Sequence, residues 1–138
     1  MNDVLITYDV LNSSDLRGTT PADYLVSLEA TLRILDGEVK VYEEPAFPVV
    51  ELARSLRSWL DDPERSDFEF ESMSFEELGS VAIQRSSCWW VISSVFEPTG
   101  ASSRRGWAVV RTAVESFINR VENDLIALGA EPTEVLRS

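Results

Sequence analysis

Apolar and polar residues alternate with a period of two in several short segments, a pattern typical of β-strands. Residues 3–10 favour a first strand, and residues 12–21 are rich in turn residues. The segment 22–35 satisfies helical and strand spacing in places. We interpret its C-terminal half as a strand, because Asp36-Gly37 follows and residues 38–42 alternate cleanly after it. A strand, an Asp-Gly turn and a second strand predict a β-hairpin.

A second set of strands is predicted farther along the chain. Phe68 and Phe70 alternate with carboxylates, so the rings are expected on one face of a strand and the acids on the other. The parity of the apolar positions shifts after Ser72, which predicts a bulge or turn there. Residues 79–85 and 88–96 then favour a hairpin that turns at Ser86-Ser87.

Two segments have the spacing of three and four that is typical of an amphipathic helix. They cover roughly residues 48–61, beginning at Pro48 and ending before Pro63, and roughly residues 103–128, ending at Gly129. With no internal repeat, residues 1–138 are expected to form one α+β domain. The expected architecture is an antiparallel sheet of about five or six strands with the two helices packed on one face.

Charge is the unusual property of this composition. The formal net charge of the 138 residues is −12, and residues 61–77 alone carry eight acids against one base, Arg65. Such a surface is expected to repel nucleic acid and anionic membranes and to attract a basic protein partner. The N-terminus lacks the basic and apolar regions of a signal peptide, and the single cysteine fits a reducing compartment, so a cytoplasmic location is expected.

The residue types restrict the possible chemistry. The chain has no histidine, which excludes histidine-based triads and dyads within one chain, and none of its six glycines fits a phosphate-binding loop. The single cysteine, Cys88, is expected to be a small buried residue in a strand. We therefore expect no enzymatic activity, no cofactor and no metal site. Calcium at the acids of residues 61–67 is disfavoured because the loop order and its central glycine are absent.

The acidic run permits three interpretations: a solvated strand face, paired catalytic carboxylates in a cleft, or a binding surface. Trp89 and Trp90 point to opposite sides of one strand, so one of them faces solvent unless a loop such as residues 12–21 covers it. We assign Trp90 to the exposed side, as an aromatic residue beside charge typical of an interface. The candidate partner-binding residues are Asp61, Asp62, Glu64, Asp67, Glu69, Glu71, Glu76, Glu77 and Trp90.

Three blocks in residues 41–96 carry a resemblance to known proteins. They are VYEEPAFPVVELARSLRSWL, FEFESMSFEE and WWVISSVFEP, followed by a long C-terminal helix. In these blocks the chain resembles an uncharacterised family of small acidic bacterial proteins, and it is similar in size, charge and architecture to immunity proteins. This resemblance implies a protein that blocks the active site of a basic toxin. The alternative from another class is a small-ligand-binding domain or carboxylate-dependent enzyme with acids grouped in a pocket.

Overall fold

The fold was obtained as a computed structural model, which describes residues 3–72 and 78–137. This part of the chain is α+β, as predicted, and no helix in it is long and apolar enough to cross a membrane. Its elements, in order, are β1 (Val4–Tyr8), α1 (Pro21–Ser27), β2 (Ala30–Asp36), β3 (Val39–Phe47), α2 (Val49–Asp61), β4 (Phe68–Glu69), β5 (Ala82–Ser86), β6 (Trp89–Ser93), α3 (Trp107–Ala127) and α4 (Pro132–Val135).

The strands of the described residues form two three-stranded antiparallel sheets rather than one. The first sheet has the order β1-β2-β3 and the second has the order β4-β5-β6. The prediction of a single sheet of five or six strands is therefore wrong. Near its end β3 contains Pro45, which has no amide proton to donate to a ladder, and Ala46, whose φ of 54° is left-handed. Pro48 then leads directly into α2, which ends β3, and the next strand, β4, pairs with β5.

Both predicted hairpins are present, and each turn lies one residue later than expected. In the first hairpin Asp36 faces Val39, so the turn residues are Gly37 and Glu38, and Gly37 has a φ of 62°. In the second, Ser86 faces Trp89, and the turn is Ser87-Cys88. A two-residue hairpin loop needs positive φ at its first position, which glycine adopts without strain and a serine adopts at a cost.

Helix α2 matches its predicted bounds closely, whereas α3 begins at Trp107 instead of residue 103. Residues 101–105 lie alongside β6, where Ser102 N donates to Ile92 O at 2.8 Å and Arg105 N donates to Trp90 O at 2.9 Å. Tertiary pairing thus replaces the helical bonds of this segment. The helix ends as predicted, with Gly129 at a φ of 84°.

Helix α3 is held against β1 by polar contacts as well as apolar packing. The Tyr8 hydroxyl donates to Asp124, and the guanidinium of Arg120 lies 3.9 Å from the centre of the Tyr8 ring. Arg120 also donates to the Thr7 hydroxyl at 2.9 Å. Burial strongly raises the pKa of Tyr8, and the adjacent Asp124 carboxylate adds to that rise. One cluster of buried side chains contains residues from both sheets and from α2 and α3.

Candidate protein-binding surface

The two faces of the second sheet differ in burial and composition. Residues directly opposite one another on neighbouring antiparallel strands share a face. The row Phe68, Ile83 and Ile92 is buried and faces the core. The adjacent row, Glu69, Ala82 and Ser93, points to the other side of the sheet, where Glu69 is exposed, Ser93 is half-buried and Ala82 is buried.

The outward face also carries an exposed tryptophan. Trp89 lies opposite Ser86 and four residues before Ser93 on β6, so its side chain shares the face of Ser93 and Glu69. Its residue surface is 44% exposed. The described residues thus place an exposed aromatic side chain and an exposed carboxylate on the same side of the second sheet, while Ala82, between Glu69 and Ser93, is only 7% exposed.

Trp90 occupies the opposite, inward face and is only 5% exposed. Its ring packs against Trp59 at a centroid distance of 5.7 Å and against Trp107 at 5.4 Å. The prediction that one of the two adjacent tryptophans faces solvent is confirmed for Trp89, but its assignment to Trp90 is wrong. The end of α2 and the start of α3 cover that side of the strand, and strand periodicity does not specify which side the helices cover.

The structure places the predicted acids at the surface. All six that it describes are exposed, and Glu76 and Glu77 lie outside the described residues. The six are Asp61, Asp62, Glu64, Asp67, Glu69 and Glu71.

Some of these carboxylates already have structural partners. An Asp62 oxygen accepts from Glu64 N at 2.9 Å, and an Asp67 oxygen accepts from Arg85 N at 2.9 Å. Asp61 lies 3.8 Å from the Arg57 guanidinium. Among the described residues, no ion pair involves Glu69 or Glu71. These two acids are therefore available to an external cation.

The one arginine of the acidic run does not neutralise it. The guanidinium carbon of Arg65 lies 4.1 Å from the ring centre of Trp107 and 5.8 Å from that of Trp59. Its Nη2 donates to Leu60 O at 3.1 Å. The indole of Trp59 in turn donates to Ser66 O at 2.7 Å. Arg65 thus anchors the run to the tryptophan cluster, while the neighbouring carboxylates face solvent.

A separate cavity lies between the first sheet and α3. It is an open groove of about 1080 Å³ whose lining includes Asp3, Asp36 and Glu38. Asp36 accepts from Ser103 N at 2.7 Å and from its hydroxyl at 2.8 Å, and it forms an ion pair with Arg105. Burial alone would raise the pKa of Asp36, but these donors hold it below its ordinary value. A carboxylate held ionised in this way stabilises the fold and is poorly suited to proton transfer.

Two further results bear on chemistry at the described residues. No group of three acidic or thiol side chains there is arranged to hold a metal ion. Cys88, expected to be buried, is exposed at the turn of the second hairpin. The prediction was wrong because the turn lies one residue later than expected and Cys88 occupies its second position.

A family model described as a domain of unknown function, DUF7878, matches residues 4–127. The chain belongs to this family. The DUF7878 match begins at the first residue of β1 and ends at the last residue of α3, so it includes both sheets and the acidic run. No curated protein and no solved structure matches the chain.

Sequence reasoning missed Trp89 as the exposed tryptophan and Arg65 as a partner of the aromatic cluster. A usable signal existed for the first. Trp59 lies near the end of the apolar stripe of α2, and Trp107 lies at the start of that of α3. Large rings at the ends of such stripes need apolar partners, and a tryptophan on the inward side of β6 can supply one. No pattern in the sequence indicates that Arg65 folds back onto them, because this contact depends on how α2 and α3 meet.

Proposed function

We propose that this DUF7878 chain is a non-enzymatic protein that binds a basic protein partner through the outward face of its second sheet. The observation that carries the proposal is the placement of exposed Trp89 and exposed Glu69 on one face of that sheet. Exposed tryptophans are common energetic centres of interfaces, and charged side chains are commoner at the rim. Trp89 lies at the hairpin end of β6, and Glu69 lies two strands away in the row that holds Ala82, four residues from Ser86. Glu71 extends the acidic part of this surface along the chain.

The charge of the chain determines the class of partner. A net charge of −12 disfavours binding to phosphate backbones and raises the association rate with basic proteins at low ionic strength. Arg65 stacks on Trp107 and forms no ion pair with a described carboxylate, so the exposed acids outnumber the positive charge beside them. We expect binding to weaken as salt concentration rises.

The finer proposal is that the partner is a toxin and that the chain is an immunity protein acting in the cytoplasm. A small α+β protein with a rigid acidic face can occupy a cleft that evolved to hold phosphate, since carboxylates satisfy the same cationic side chains. In this proposal Trp89 supplies apolar contact area, and Glu69 and Glu71 supply charge complementarity.

A second candidate is a small-ligand-binding or carboxylate-dependent enzymatic role for the groove beside α3. Its volume of about 1080 Å³ supports this candidate. The ion pair between Asp36 and Arg105 weighs against acid–base chemistry there. Substitutions in the outward face of the second sheet should not affect the binding of a ligand in the groove. The two candidate functions are therefore distinguished by which variants lose binding.

The test is affinity capture from a lysate of the native host, with the chain immobilised and bound proteins identified by mass spectrometry. Three baits are compared: the wild type, Glu69→Lys/Glu71→Lys, and Glu131→Lys/Glu134→Lys, which makes the same charge change at exposed residues near α4. We expect one basic protein on the wild type and on the α4 variant, released by high salt and absent from the Glu69/Glu71 variant. Equal recovery on all three baits would contradict the proposal.

A further inference from the structure

The hydrogen-bond direction along residues 67–71 shows which backbone groups are free. Phe70 N donates to Val81 O at 2.9 Å, and Gly79 N donates to Phe70 O at 3.0 Å. Successive residues of a strand direct their amide and carbonyl groups to opposite sides. The backbone groups of Phe70 therefore point toward β5, and those of Glu69 and Glu71 point away from the sheet.

The opposite edge of the second sheet is already paired. Trp90 N donates to Arg105 O at 2.8 Å, Arg105 N donates to Trp90 O, and Ser102 N donates to Ile92 O. Residues 101–105 thus cover the outer side of β6. In the described part of the chain, no strand pairs with the outer side of β4.

The edges of the first sheet are less suitable for adding a strand. On β1, the residues whose backbone groups point outward include Val4 and Ile6, which are 4% and 2% exposed beneath α3. On β3, Pro45 cannot donate a hydrogen bond and Ala46 is left-handed. In contrast, Glu69 and Glu71 on the edge beside β5 are exposed.

We propose that the partner docks on this edge by adding one extended basic strand to β4. The inference rests on the proposed function, because Glu69 and Glu71 belong both to the proposed acidic surface and to this edge. Backbone bonds to Glu69 and Glu71 would provide affinity, and lysine or arginine at alternate positions of the added strand would pair with the carboxylates. A second copy of this chain is disfavoured, since its own β4 would bring carboxylates against carboxylates.

The probe for this proposal is a synthetic peptide of about seven residues in which lysine alternates with valine, at low ionic strength. Amide hydrogen exchange is followed residue by residue by NMR, with and without saturating peptide. We expect exchange at Glu69 and Glu71 to slow by about tenfold or more, while the amide of Phe70, already bonded to Val81, changes little. Unchanged exchange at Glu69 and Glu71 would overturn the proposal.

Proline substitution separates a backbone interaction from a charge interaction. Glu69→Pro removes an outward amide together with the carboxylate, whereas Glu69→Gln removes only the charge. We expect peptide affinity to be about fivefold lower for Glu69→Pro than for Glu69→Gln, the effect of one lost hydrogen bond. Equal affinities would show that the edge amide takes no part.

A matched variant controls for folding. Gln84 is also exposed, but it lies on the central strand β5, where its amide is directed to β6. Glu69→Pro should leave the melting temperature within a few degrees of that of Glu69→Gln, while Gln84→Pro should lower it by more than about 10 °C. If Glu69→Pro lowered the melting temperature as much as Gln84→Pro does, the Glu69 amide would already have a hydrogen-bond partner. That result would contradict an open edge at β4.

The outcomes also separate this inference from the proposed function. If the partner recovered by affinity capture binds Glu69→Pro and Glu69→Gln equally but loses affinity for Glu69→Lys/Glu71→Lys, docking uses side chains alone and only the strand addition is wrong. If charge reversal also leaves partner affinity unchanged, both proposals are wrong.

Discussion

The guanidinium of Arg65 lies over the ring of Trp107, with its central carbon 4.1 Å from the ring centre. This contact joins the start of the acidic segment to the first residue of α3. It also accounts for a single arginine within a run of carboxylates: the cation belongs to the aromatic cluster and not to the charged surface. The contact of Arg65 with Trp107 therefore helps to hold the acidic segment in place, and Arg65 forms no ion pair with a described carboxylate.

Removing that contact should destabilise the protein. We expect Arg65→Ala to lower the free energy of unfolding by about 1–2 kcal/mol, because a partly desolvated cation–π contact and the hydrogen bond to Leu60 O are lost. Arg104→Ala removes the same charge from an exposed side chain and should cost less than about 0.5 kcal/mol. Urea unfolding measures the free energy of unfolding of both variants. Similar decreases in the two variants would mean that the effect comes from the change in net charge and not from the contact with Trp107.

The second hairpin gives a test of its turn position. Ser87 has a φ of 60°, so Ser87→Gly should stabilise the protein by about 0.5–1 kcal/mol through relief of left-handed strain. Ser86 is the last residue of β5, and Ser86→Gly should destabilise it by about the same amount. Thermal unfolding of the two variants measures these changes in stability. If the turn were at residues 86–87, Ser86→Gly would stabilise the protein and Ser87→Gly would destabilise it.

A close backbone approach fixes the segment that follows β6. A Cβ atom added at Gly100 would lie 2.9 Å from Val41 O, whereas one added at Gly106 would meet nothing within 4 Å. Gly100→Ala should therefore lower stability by about 1–3 kcal/mol, because backbone atoms must move to accommodate the methyl group. Gly106→Ala should change stability by less than Gly100→Ala, as measured by denaturant unfolding.

The ion pair of Asp36 with Arg105 predicts a dependence of stability on pH. The folded state lowers the pKa of Asp36 from 3.8, so its contribution is present above that value and is lost as pH falls through the folded pKa. At pH 7, Asp36→Asn should cost about 2 kcal/mol. The difference from the wild type should shrink below about pH 4. Asp3→Asn, at an exposed position in the same groove, should cost much less at pH 7. A constant difference across this range would contradict the assignment.

The features predicted correctly depend on local sequence. Asp36-Gly37 predicts the first hairpin, and the apolar stripe after Pro48 predicts α2. The alternation around Phe68 predicts that the acids beside it lie at the surface. Each of these patterns is contained within about a dozen residues. Short-range periodicity was therefore sufficient.

The features predicted wrongly depend on contacts between distant segments. Residues 101–105 would have joined α3 had Arg105 and Ser102 not paired with β6. The division into two sheets follows from the pairing of β4 with β5, and the burial of Trp90 follows from where α2 and α3 end. Sequence pattern indicates that a strand exists but not which strand or helix lies beside it.

The most direct test of the account is the affinity of the captured basic partner for two charge-matched variants at low and high salt. Glu69→Lys/Glu71→Lys places lysines on the proposed surface, and Glu131→Lys/Glu134→Lys places them near α4. We predict a loss of at least about tenfold in affinity for the first variant and less than about threefold for the second, with the gap narrowing at high salt. Equal losses would show that only overall charge matters and would contradict a binding site on the second sheet.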